Sequence, residues 1–286
     1  MKGFWGDLKA ALPAGRQAFF VLAPLANVTD AAFRRIIAKY GKPDVLWTEF
    51  VSADGLIKAT SEGKAKLMRD LLFTEAERPI VAQLFTSNPE TMEAAAKLCQ
   101  GLGFDGIDIN MGCPDKSIEK QGAGAKLITT PDRAREVIRA AKRGAPNLPV
   151  SVKTRLGYNK DILEEWLPVL LAEELAALTL HARTRKEMSK VPAHWDRVKR
   201  AVEIRNELGS KTLIIGNGDA LNMEDARKKA AESGADGVML GRAIFGTPWL
   251  FSEVRSGSPA QHPLTSQAPQ PDIASASDSQ ANTPFS

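Results

Sequence analysis

The residues able to do chemistry fall in a few short stretches. Cys113 lies in Asn110-Met111-Gly112-Cys113-Pro114, on a turn constrained by a glycine before it and a proline after it. An ordinary thiol has a pKa of ~8.5, stays mostly protonated at neutral pH, and can act as a general acid without tuning. A nucleophile and an inert thiol are the other readings. A nucleophile needs a base close by, which His181 supplies only if the fold brings it near. Cys99 follows an alanine-rich helical stretch and reads as a small core residue. In Ser151-Val152-Lys153-Thr154-Arg155, alternation sends Lys153 and Arg155 to one side. Two cations on an interior strand call for anionic or carbonyl oxygens opposite them. His181 and Arg183 share a side in the same way. Gln83 can donate and accept, which suits either the edge of a heterocycle or a backbone partner. Glu49, inside an apolar run, is functional or stands at a wet rim. Gly216-Asn217-Gly218-Asp219 and Gly241-Arg242 are turns whose backbone N–H groups suit a phosphate.

Such groups act together only if a scaffold brings them to one place. Eight short, mostly apolar runs recur: 19–23, 45–49, 80–85, 106–110, 150–155, 177–181, 212–216 and 237–241. Continuous apolar character marks strands buried on both faces. Helical patterns lie between most of them, at 30–40, 89–102, 131–143, 162–176, 195–208 and 223–233, with Asn88-Pro89 and Thr130-Pro131 as cap-then-proline starts. Alternating strand and helix implies a parallel sheet, and eight units predict a (β/α)8 TIM barrel over residues 19–251. An open doubly wound sheet is the competing architecture, but Ala23-Pro24-Leu25-Ala26 stands where its glycine fingerprint belongs. In a barrel the chemistry gathers at the C-terminal ends of the strands, where the stretches named above fall, that of Cys99 excepted.

Composition sets the outer limits. The chain has 286 residues and a net charge of +4, with a mean hydropathy of −0.21. No apolar run approaches the ~18 residues of a membrane span. Two cysteines make neither a disulfide framework nor a zinc site, so a reducing cytoplasm is expected. Residues 1–18 read as a lead-in with one amphipathic turn. Residues 252–286, rich in serine and proline, read as a disordered tail. That tail carries Glu253, Asp272 and Asp278 against Arg255, so the remainder is more basic than the whole and permits a polyanionic partner.

Taken in order, several stretches resemble the tRNA-dihydrouridine synthases. They are Ala23-Pro24 with Val28-Thr29-Asp30, Ile109 to Pro114, Gly122-Ala123-Gly124-Ala125, Val152 to Gly157, His181-Ala182-Arg183-Thr184, Gly216 to Asp219, and Asp236 to Arg242 with Pro248-Trp249. The resemblance implies a bound FMN and reduction of a tRNA uridine to 5,6-dihydrouridine, with NADPH as reductant. Pro24 and Leu25 would lie against the flavin ring, Gln83 at its pyrimidine edge and Lys153 at a ring carbonyl. His181, Asn217, Gly218, Gly241 and Arg242 would hold the ribityl phosphate. Asn110 and Arg155 would hydrogen-bond a flipped-out uracil, and Cys113 would protonate carbon 5 after hydride reaches carbon 6. Leu25 stands where the family usually has methionine, a change that nearly conserves volume. The family's C-terminal helical tRNA-binding domain is expected to be absent, which would weaken tRNA binding. A short last helix would then expose apolar surface near Trp249 and Phe251. Two alternatives remain: an FMN barrel acting on a free pyrimidine, and a flavin- or RNA-binding remnant without activity.

Overall fold

The computed structural model describes residues 3–12 and 16–252. The disordered-tail reading therefore lies, apart from Ser252, outside the described residues. Eight parallel strands follow one another as β1 (Phe19–Leu22), β2 (Leu46–Ser52), β3 (Ile80–Phe85), β4 (Gly106–Met111), β5 (Val150–Arg155), β6 (Ala177–His181), β7 (Leu213–Asn217) and β8 (Gly237–Leu240). They form one sheet in the order β1-β8-β7-β6-β5-β4-β3-β2, alternating with helices in a TIM-barrel-like fold. At the seam between β1 and β2, Asp44 joins the edges. Its N–H donates to Phe20 O at 2.9 Å, its carboxylate accepts Phe20 N–H at 2.7 Å, and it pairs with Arg16.

Side-chain alternation sorts the residues into two layers. One face of each strand (Phe20 and Leu22, Ile107 and Ile109, Val150 and Val152, Leu178 and Leu180) packs beneath the helices. The other face lines the barrel, with Phe19, Val21, Trp47, Val81, Leu213, Ile215 and Met239 forming an apolar inner cluster. The helix Phe4–Ala10 closes the floor of that cluster. Its Trp5 is fully buried, 5.8 Å from the Phe19 ring and 6.0 Å from the Trp47 ring. The predicted amphipathic turn is thus a stopper for the barrel.

The interior of β3 to β6 is polar instead. The register aligns Gln83, Asp108 and Ser151 in one row. Asn110, Lys153 and Thr179 form the row above, and Arg155, His181 and Asn217 the row at the mouth. Helix 162–176 is shorter than its pattern suggests, running Leu163–Leu171, because Glu174 adopts a positive φ of 47°. Phe251 is fully buried and Leu250 nearly so, contrary to the expected exposure there; Phe245 is the exposed residue in that region.

Candidate active site

The loop after β1 forms one wall. The Thr29 hydroxyl accepts Leu25 N–H at 2.9 Å and donates to Leu25 O at 3.3 Å, fixing the Pro24-Leu25 turn. Glu49, in the middle of β2, accepts Val28 N–H at 3.0 Å, and burial pushes its pKa up. Arg34, fully buried against Glu77, donates to Thr29 O and so supports the same turn from below.

Across the mouth, β4 runs into the cysteine turn. Asn110 Oδ1 accepts the N–H groups of Gly112 at 3.1 Å and Cys113 at 2.9 Å. Cys113 O accepts Ala125 N–H at 2.9 Å. Gly124 has φ +60°, and a Cβ there would sit 2.7 Å from that carbonyl, so the approach requires glycine. The thiol packs near Phe50, Phe85, Ile118 and Ala123. Burial pushes its pKa up; the Asp115 backbone N–H opposes the rise, the Asp115 carboxylate adds to it, and the Arg155 and Lys153 charges oppose it. Cys113 therefore keeps its proton at neutral pH. Cys99 is fully buried in the helix Pro89–Gly101, its thiol pushed up to about 12, as its core assignment requires.

The glycine-rich loop after the cysteine is clasped on two sides. Glu119 accepts Arg185 Nε at 2.7 Å, and the Arg185 guanidinium lies 5.1 Å from the Tyr158 ring centroid. On the other side Ser87 Oγ donates to Gln121 O. The loop is tied to the ends of β3 and β6.

Lys153 points into the interior between Cys113 and the floor. Its ammonium makes no hydrogen bond or ion pair among the described residues. Burial and the Arg155 charge lower its pKa to about 8, with Asp108 pulling the other way. Arg155 is spoken for by the protein: Nε donates to Gly112 O at 2.7 Å, and Nη1 to Thr184 O and Met188 O at 3.2 Å each. Gln83 and Asn110 also bond to each other, Asn110 Nδ2 to Gln83 Oε1 at 3.1 Å.

The ends of β7 and β8 form the third wall. Asn217 Nδ2 donates to Met239 O at 2.8 Å. Gly218 has φ +127°, and a Cβ there would lie 2.7 Å from Ala193 Cβ, while His181 Cδ2 and Arg183 Nη1 are 3.5 Å away. Gly241 faces Ala23 and Leu25, where a Cβ would find 3.7 and 3.8 Å of room. The N–H groups of Gly218, Gly241 and Arg242 have no partner among the described residues. His181 is held neutral by burial and by the charges of Lys153, Arg155, Arg183 and Arg242. Asp219 balances part of that charge, pairing with Arg183 and, at 2.9 Å, with Arg242. Sequence reasoning singled out neither Asp219 nor Asp108, although each lies two residues from a residue it did name.

Two cavities lie outside this centre. One of about 600 Å³, at the rim of the loops after β5 and β6, is bordered by Lys160, Lys186, Lys190 and Arg197. The other, about 870 Å³, opens at the opposite end of β5 to β7 among Pro146, Pro149, Leu171 and Leu208, far from the strand ends that carry the chemistry. No helix among the described residues is long and apolar enough to cross a membrane, and none of them group into a metal-holding cluster.

A polar mouth built on a TIM-barrel-like scaffold, with a protonated thiol and a half-buried lysine close enough to shift each other's pKa, defines an enzyme site. The dihydrouridine synthase family model matches residues 21–276, and the chain belongs to that family of oxidoreductases. A probable tRNA-dihydrouridine synthase 2 of Bacillus subtilis (strain 168) is 42% identical over 253 residues, covering 88% of this chain and 74% of that one. A probable tRNA-dihydrouridine synthase of Staphylococcus aureus (strain COL) is 40% identical over the same shares. Among solved structures, morphinone reductase in complex with tetrahydroNAD shares the fold with a TM-score of 0.55 at 13% identity, covering 87% of this chain and 88% of that one. Histamine dehydrogenase from Rhizobium sp. 4-9 shares it with a TM-score of 0.63 at 14% identity, covering 87% of this chain and 48% of that one.

Proposed function

We propose that the protein binds FMN and, with NADPH as reductant, reduces a uridine of tRNA to 5,6-dihydrouridine, with Cys113 as the proton donor. The observation that carries this reading is the protonated Cys113 thiol and the unpartnered Lys153 ammonium, close enough to shift each other's pKa, at the mouth of a family-matched barrel.

The residues present fit the cofactor. A phosphomonoester needs donors and positive charge, and the free N–H groups of Gly218, Gly241 and Arg242 supply donors beside Arg183 and Arg242. Neutral His181 contributes a ring nitrogen there without adding charge. Asn217 supports this wall by holding Met239 O. The Pro24-Leu25 turn offers an apolar platform for a planar ring. Lys153 would stabilise an electron-rich ring carbonyl, and Gln83, whose amide already bonds Asn110 and Asp108, would stand at the pyrimidine edge. When bound, FMN supplies the hydride chemistry that amino-acid side chains lack.

The chain's own groups then divide the remaining work. Asn110 and Arg155 fix the backbone of residues 112–113 and line the face a flipped-out uracil meets; extruding the base costs a few kcal/mol. Cys113 Sγ holds the proton destined for carbon 5. Its raised pKa keeps it loaded, and the neighbouring Arg155 and Lys153 stabilise the thiolate left behind. Lys160, Lys186 and Lys190 at the rim suit the phosphates of an RNA backbone, while Arg197 beside them is paired with Asp161 and Glu164. The reading is tested by the visible spectrum of the purified protein, followed by dihydrouridine analysis of unmodified tRNA incubated with it and NADPH. A flavin spectrum and new dihydrouridine are expected. Colourless protein that takes up no added FMN would overturn it.

A further inference from the structure

Below Cys113, buried polar groups continue further than the proposed chemistry needs. Ser151 Oγ donates to Asp108 Oδ1 at 2.6 Å. Gln83 Nε2 donates to Asp108 Oδ2 at 2.6 Å. Asn110 Nδ2 donates to Gln83 Oε1 at 3.1 Å, and Asn110 Oδ1 accepts Gly112 N–H and Cys113 N–H. Gln83 and Asp108 are at most 1% exposed and Asn110 6%.

Each bond in this line has its direction set from both ends. A backbone N–H can only donate, so Asn110 must turn its oxygen toward the cysteine turn. Its nitrogen then faces Gln83, which must answer with its oxygen. The Gln83 nitrogen in turn requires an acceptor beneath it, and Asp108 is that acceptor.

We propose that Asp108 is a positioning residue for the Cys113 thiol: its carboxyl anchors the lower end of the Gln83–Asn110 line and through that line steadies the turn that aims the thiol. The inference deepens the function proposed above and rests on Cys113 as the proton donor. Packing alone does not account for the residue. A buried carboxyl is costly where a leucine would pack as well. Burial lifts its pKa to about 6, against the hydrogen bonds from Ser151 and Gln83 and the Lys153 charge. A leucine would leave the Gln83 nitrogen without an acceptor and the line held only from its upper end, by the Gly112 and Cys113 N–H groups.

The test compares Asp108→Asn with Asp108→Leu. Asparagine keeps an oxygen for Gln83. Its nitrogen can face the Ser151 hydroxyl, whose proton has Ile107 O at 3.3 Å as an alternative acceptor. The first readout is the rate of iodoacetamide alkylation of Cys113 against pH, followed by mass spectrometry, with buried Cys99 as the silent reference. It needs no turnover. The second is kcat and KM for tRNA measured separately. Asp108→Asn is expected to leave the alkylation profile at the wild-type position. Asp108→Leu is expected to change the alkylation rate by about tenfold, the effect of one pKa unit. It is also expected to lower kcat by up to ~100-fold at unchanged KM, the cost of a ~1 Å misplacement. A folded Asp108→Leu protein whose profile superimposes on wild type overturns the proposal. If that variant does not fold, Gln83→Met cuts the same line at its middle and must produce the same change; a superimposable profile again overturns it. Failure of the proton-donor reading is a separate result, full dihydrouridine formation by Cys113→Ala.

Discussion

Replacing Arg34 by methionine strands a buried charge and loosens the wall proposed to support the flavin ring. Arg34 and Glu77 are both fully buried. Arg34 Nε donates to Glu77 Oε2 at 2.8 Å, Nη1 to Thr29 O at 2.8 Å and Nη2 to Leu72 O at 2.5 Å. Methionine keeps much of the volume and removes all three bonds. Glu77 keeps the Thr74 N–H at 2.8 Å and hydroxyl at 3.0 Å, but loses the cation that neutralises it. Removing one partner of a buried pair costs ~3–5 kcal/mol. The stranded carbonyls of Thr29 and Leu72 add part of ~1–3 kcal/mol each, less what relaxation recovers. A net loss of ~4 kcal/mol follows, or ~8–16 °C in Tm for a domain of this size. The double variant Arg34→Met/Glu77→Leu should recover most of it, because no charge is left uncompensated. Urea unfolding followed by tryptophan fluorescence measures both, at one fixed flavin concentration because a bound ligand raises apparent stability. FMN affinity of the single variant should fall as well, since Thr29 holds the Leu25 turn. A single variant that loses under ~1 kcal/mol, or a double variant no better than the single, would refute the reasoning.

Further expectations concern charge. Lys153, with a pKa of about 8, is half free amine at pH 8, whereas an ordinary lysine near 10.4 is free at well under 1%; its acetylation by acetic anhydride should rise with a midpoint near pH 8, and bound FMN should suppress that reaction. A pH course of labelling equal to that of exposed lysines would contradict the assignment. The same lowered pKa gives a signed stability effect. Between about pH 8 and the ordinary lysine value the unfolded chain holds the extra proton, so the cost of burying the charged amine is present below pH 8 and fades as pH rises, which denaturant midpoints across that window should show. Affinity for tRNA should fall ~100-fold between 50 and 200 mM salt if about four phosphates are neutralised, and a flat salt response would count against the basic rim as the RNA contact.

Much of this architecture was legible because strands buried on both faces leave long apolar runs. The runs at 80–85, 150–155 and 177–181 coincide with β3, β5 and β6. The helix Ser61–Asp70 left no such trace: none of its residues is buried, so it has no apolar period to read. The stopper helix Phe4–Ala10 is seven residues long, too short for periodicity, and its meaning lies in Trp5 reaching Phe19 and Trp47. Alternation within one strand correctly put Lys153 beside Arg155. The line from Ser151 through Asp108 and Gln83 to Asn110 joins three strands, and only their register reveals it. For the same reason the clasps of the glycine-rich loop to Ser87 and Arg185 escape the sequence, since they come from residues distant along the chain.

The central claim is that Cys113 delivers the proton, and Cys113→Ala tests it most directly. The variant should purify with its flavin and oxidise NADPH at the wild-type rate, since neither the phosphate wall nor Lys153 is touched. Its dihydrouridine formation on unmodified tRNA should drop by ~10²–10⁴-fold, the contribution of a positioned general acid. Dihydrouridine made at the wild-type rate by that variant would contradict the account.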